Sequence, residues 1–233
     1  MADEALHDAA IKGNVATVIA LLDQGADINA LYGGVTALMM AASVGQAATV
    51  RVLLERGADL NATDATKMTA LDMATRYGLQ SEEPEGGVTV VRLLLDHGAN
   101  ANCADEMGDT PLMWAVQECD VEAIQILLAH GADPHKTSLG GGTALIKAAA
   151  GADYEAARVL LAAGSDVNAR GAQGWTPLHF AVHEGDIQSV RLFLAARADA
   201  NARDDTGISI LALAQERNAP VILRLLTEAG AKP

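Results

Sequence analysis

Apolar residues along this chain fall into short paired runs divided by polar loops. The stretch from Thr110 to His130, TPLMWAVQECDVEAIQILLAH, holds one such pair. In its second run Val121, Ile124, Leu127 and Leu128 recur every three or four residues, the spacing of a single buried stripe on a helix. The first run opens with Thr110 and Pro111. A threonine oxygen accepts from the free N–H groups of a first helical turn, and proline fits the position after it. Runs of the same form begin at Thr36, Thr69, Thr143, Thr176 and Ser209: TALMMAA, TALDMAT, TALIKAA, TPLHFAV and SILALAQ. The pattern predicts helix pairs. A glycine such as Gly131 closes the second helix of a pair in the left-handed conformation that glycine adopts at least cost.

The pairs repeat. A tag of the form Gly-Ala-Asp-x-Asn-Ala, or a close variant, begins at Gly25, Gly57, Gly98, Gly131, Gly164, Arg197 and Gly230, at intervals of 32, 41, 33, 33, 33 and 33 residues. Seven repeats follow: about 1–26, an N-terminal cap without the Thr-led turn, then 27–58, 59–99, 100–132, 133–165, 166–198 and the C-terminal cap 199–233. Both ends look finished, as expected of a complete array. The long interval places an insertion at 79–86, between the two helices of the third repeat, as a surface loop or as a partner-contacting flap carrying Glu82, Glu83 and Glu85. Length alone costs such a loop little. No pair this small buries its own apolar face, so residues 1–233 are expected to form one elongated domain of stacked repeats.

TPLH at Thr176–His179, TPLM at Thr110–Met113, the TAL variants and the recurring tags are together similar to the ankyrin repeat family over essentially the whole chain. The resemblance implies an all-α fold, an ankyrin-repeat solenoid of stacked helix-turn-helix units with β-hairpin loops. It also implies protein binding without catalytic residues, and a TPLH histidine, His179, that hydrogen-bonds nearby loops.

Composition narrows the function further. The formal net charge of −14 opposes nucleic acid, whose binding rests on Lys and Arg neutralising phosphates, and opposes anionic membranes. Cys103 and Cys119 make neither a disulfide framework nor a zinc pattern. With no signal at the N-terminus, the expected place is the reducing cytoplasm, or the periplasm or exterior if a signal has been removed. The expected state is a monomer.

Candidate chemistry is sparse. His179 and His183 stand four apart beside Glu184, the spacing of two ligands on one helical face. HFAVH lacks the glutamate of a zincin motif, so the histidines read as packing and surface. Gly140–Thr143, GGGT, lacks the Lys-Ser/Thr ending of a phosphate loop. The tag aspartates Asp27, Asp59, Asp133, Asp166 and Asp199 stand one per repeat and are expected to bond local backbone. No catalytic residue, cofactor or metal is expected.

The large side chains carry the functional reading. In the resemblance, hairpin tips, the residue before each threonine and exposed inner-helix positions form a concave surface. Those positions hold Tyr32, Met40, Met68, Met73, Tyr77, Met107, Trp114, Leu139, Trp175, Phe180 and Ile208, with acids Asp109, Glu118 and Glu184 beside them. Interface cores are enriched in aromatic residues and Met. The expected function is an adaptor, scaffold or inhibitor whose apolar, acid-rimmed groove binds a protein with basic and hydrophobic contacts. The alternative is a ligand-binding, metal-binding or enzymatic protein using the same groove.

Overall fold

A computed structural model describes residues 2–80 and 86–232. The helices pair as α1 (Ala2–Ile11) with α2 (Val15–Asp23), α3 (Ala37–Ser43) with α4 (Ala47–Glu55), and α5 (Ala70–Arg76) with α6 (Val88–Asp96). The series continues with α7 (Pro111–Gln117) and α8 (Val121–Ala129), α9 (Ala144–Ala150) and α10 (Tyr154–Ala162), α11 (Pro177–Glu184) and α12 (Ile187–Ala195), and α13 (Ile210–Glu216) and α14 (Pro220–Glu228). They group into two compact blocks, residues 1–133 and 134–233. In the N-terminal block the odd-numbered inner helices pack in series, α1 on α3 on α5 on α7, and the outer helices α2, α4, α6 and α8 form a second row. In the C-terminal block α11 packs between α9 and α13, and α12 between α10 and α14.

Local chemistry sets the helix ends where the sequence pattern places them. The side chains of Thr36, Thr69, Thr110, Thr143 and Ser209 accept from the backbone N–H three residues on. At Gly131 the backbone is left-handed (φ 82°), as at most tag glycines, and Arg197 takes the same conformation (φ 68°) without glycine's freedom. The turn between inner and outer helices is left-handed too, at Gly45 and Gly185 but also at Cys119, Ala152 and Asn218. Among the described residues the loops between repeats form no ladder. Only two isolated bridges remain of the expected β-hairpins, Tyr32 with Val35 and Arg203 with Ser209.

The tag has two jobs. Asp27, Asp59, Asp166 and Asp199 accept from the backbone N–H two residues later, the local role expected of them. The asparagine then ties its repeat to the next: Asn29, Asn102, Asn168 and Asn201 accept from the backbone N–H of Asp59, Asp133, Asp199 and Lys232, each at 2.8 Å. Asn102 also donates to the Gly131 carbonyl.

The core is small-residue and aliphatic. On α8 the fully buried side chains are Ala123, Ile124, Ile126 and Leu127, whereas Val121 and Leu128, expected on the stripe, are only half-buried. The first repeat is less of an exception than its sequence suggests. Leu6 and His7 hold the places of Leu178 and His179, and the His7 ring bonds the carbonyls of Asp3 (2.6 Å) and, in the next repeat, Val35 (2.9 Å). The insertion begins as a 3-10 turn, Gly78–Gln80, and 81–85, with Glu82, Glu83 and Glu85, lies outside the described residues. A side chain at Gly78 would strike the Ala42 carbonyl oxygen, so α3 and the end of α5 approach this closely only with glycine there.

Candidate interaction surface

Loops and inner helices share clefts in the N-terminal block. One, of about 530 Å³, is lined by Glu4, His7, Asp8, Ile11, Tyr32 and Met40. The Tyr32 hydroxyl donates to Glu4 (2.9 Å) and its ring lies 5.7 Å from that of His7. A second, of about 420 Å³, joins Met68, Met73, Arg76 and Tyr77 of the third repeat to Asp105, Glu106 and Met107 of the next loop, with Asp64 and Thr66 at its edge. Tyr77 and Met107 stand out from it, 48% and 55% exposed.

Four expected contact residues are buried and do not project. Met68 is 2% exposed, because Asp64 N–H and Met68 O, together with the Asp64 carboxylate and the Met68 N–H, close the loop around it. Met73 is also buried, so these two thioethers wall the second cleft. Asp109 is buried where its backbone closes the turn with Asp105. Trp114, 7% exposed, lies beneath the Arg76 guanidinium, whose carbon is 4.1 Å from the ring centre. Met40 and Glu118 are half-buried, and Glu118 accepts from the Gln80 side chain.

In the C-terminal block Leu139 and Ile208 are exposed on loops. Trp175 packs among other rings. Its ring is 5.0 Å from Phe180 in an edge-to-face arrangement, 5.3 Å from His183 and 6.1 Å from His179. The loop facing it is ordered by Asp204, whose carboxylate accepts from Thr206 and from the Ile208 N–H. The Thr206 hydroxyl, ahead of the other donors, holds the Asp204 carboxyl below the usual carboxylate range. Trp175 and Phe180 are half-buried, while Glu184 is exposed and accepts from His183 (3.0 Å).

His179 is a packing residue in its geometry. It is 1% exposed, and Nδ1 takes the Thr176 N–H (3.1 Å) and faces the Thr176 hydroxyl (2.9 Å). Burial pushes its pKa down to about 4, against a smaller opposing pull from Asp204. The same helical register in the third repeat holds Asp72, fully buried, whose carboxylate accepts from the Thr69 backbone and hydroxyl and from the Cys103 thiol. Burial raises the pKa of Asp72 and of Cys103 alike. Sequence reasoning missed Arg76, Asp72 and the tag asparagines. Only the asparagines left a signal, their recurrence beside each aspartate.

Comparison with known proteins agrees with this geometry. A family model described as ankyrin repeats (3 copies) matches residues 6–83, 66–138, 85–171 and 145–233. The structure is similar to the crystal structure of the human ASB11 ankyrin repeat domain, with a TM-score of 0.80, 27% identity and 98% of each chain covered. No curated protein sequence matches the chain. With Thr-capped helix pairs, tag-linked loops and a family match that runs from residue 6 to the C-terminus, the chain belongs to the ankyrin-repeat family.

Proposed function

We propose that this protein is a non-enzymatic interaction module, an adaptor, scaffold or inhibitor, that binds a partner protein through its inner-helix and loop face. The observation that carries this is where exposed large apolar side chains stand among the described residues. Leu31, Tyr32, Met107, Leu139 and Ile208 are on loops between repeats, and Ile11 and Tyr77 are at the ends of inner helices. Only Ile187 and Val221 are on outer helices. Burying scattered apolar groups on one face of each block is what a partner would gain from. Glu4 and Asp8 line a cleft with Ile11 and Tyr32, which suits a partner that brings Lys or Arg beside its hydrophobic contacts. A reducing cytoplasmic setting and a monomeric state complete the proposal, in keeping with Cys103 and Cys119 not being joined in a disulfide.

The test uses the intact chain as bait in native lysate beside two variants. Tyr77→Ala/Met107→Ala is expected to lose the captured protein, while Ile187→Ala/Val221→Ala keeps it. Retention by the first and loss by the second would place binding on the outer helices.

A further inference from the structure

Among the described residues Arg76 is the one basic side chain lining the 420 Å³ cleft of the N-terminal block. Its guanidinium carbon lies over two rings, 4.1 Å from the Trp114 centre and 5.1 Å from that of Tyr77. Stacking of this kind fixes a guanidinium plane while leaving its edge donors available. Of those donors, one reaches only the Met68 sulfur at 3.6 Å, a weak acceptor. No carboxylate among the described residues pairs with Arg76, although three line the same cleft.

Those three acids are otherwise occupied or solvated. One Asp64 oxygen accepts from the Thr66 N–H and hydroxyl and the Met68 N–H. One Asp105 oxygen accepts from the Met107 and Asp109 N–H groups. Hydrogen bonds hold the Asp64 and Asp105 carboxylates in their own turns, and Glu106 is exposed, where water and salt screen its charge. The cleft thus offers a preorganised, planar donor fork beside two exposed apolar side chains, Tyr77 and Met107.

We infer that Arg76 is a carboxylate-receiving subsite, which seats one Asp or Glu side chain of the bound protein segment next to an apolar residue held by Tyr77 and Met107. The inference rests on the proposed binding face and adds to it a specific anionic contact within a mostly basic partner surface. Arg is suited to this role because its two parallel N–H groups match the two carboxylate oxygens, a geometry that lysine cannot supply.

The probe is a random twelve-residue peptide library displayed on phage and selected against the intact chain. Enriched peptides are expected to carry Asp or Glu within two positions of a large apolar residue. A synthetic copy should lose at least about tenfold in affinity on Arg76→Met, which keeps Trp114 covered, and a similar amount when its own acid is replaced by the amide. Arg76→Lys should recover only part of the loss, which separates the donor fork from bulk charge. Circular dichroism and melting of each variant show that the array is intact. Binding that survives Arg76→Met but falls on Tyr77→Ala/Met107→Ala would overturn the subsite and leave the binding face standing. Binding indifferent to both variants would overturn the two together, and full rescue by lysine would overturn the bidentate fork alone.

Discussion

At the scale of single residues, position and environment separate. The period of the chain assigns Met73, Trp114 and Phe180 to one inner-helix position, four beyond the capping threonine, and that much was legible in the sequence. Their exposure was not, because it depends on the neighbour: Trp114 is covered by Arg76 from the preceding repeat, and Phe180 is left half-open beside Trp175. His179 gives a prediction with a definite sign. Its folded pKa of about 4 lies below the ordinary 6.5, so the folded state binds fewer protons than the unfolded one between those values. The stability held by neutral His179 is therefore fully present above about pH 6.5 and declines as pH falls toward 4. Urea titrations of the parent and His179→Gln across this window should show the parent losing more stability on acidification; parallel curves would contradict the burial argument. Trp175→Ala, with three ring contacts removed, is expected to lower stability measurably in the same titration, as well as any affinity it carries. Ala152, left-handed at φ 52°, occupies a turn where Gly45 and Gly185 stand elsewhere. Ala152→Gly is expected to stabilise by about 0.5–1 kcal/mol in the same titration, since relief of the left-handed strain exceeds the added chain entropy.

At the scale of elements, helix existence and order were readable because two signals coincide, a Thr-led start and a three-to-four apolar spacing. The links between elements were less readable. Asn168 reads from the sequence as one more turn residue, yet its side chain holds the next tag through the Asp199 N–H. The bond joins residues 31 apart, a relation that no local pattern reports. The same limit holds for Asp72, whose acid at a histidine register is explicable only once Thr69 and Cys103 surround it. Packing at this scale is tested on α8. Leu127 is fully buried, so Leu127→Ala is expected to cost about 2–5 kcal/mol by denaturant titration. A melt matching the parent's would remove it from the core. Residues 79–86 are proposed as an addition between α5 and α6 within the third repeat. Replacing those residues by a four-residue turn that retains glycine is expected to leave helicity unchanged by circular dichroism.

At the scale of the whole molecule, seven repeats use a largely aliphatic core and place most of their exposed apolar bulk on loops and inner-helix ends. That distribution is the central claim, and its consequence is an asymmetry between faces. Glu184→Lys belongs to the same account: as an exposed rim charge it should alter association rate and salt dependence more than dissociation. The most direct measurement is the affinity of a captured partner for Met107→Ala and, separately, for Val221→Ala, two exposed apolar side chains, one on an inter-repeat loop of the N-terminal block and the other on an outer helix of the C-terminal block. The account predicts at least about a tenfold loss for Met107→Ala, the 1.4 kcal/mol scale of a real interface contact, and less than about twofold for Val221→Ala. Equal losses, or the larger loss at Val221, would contradict it.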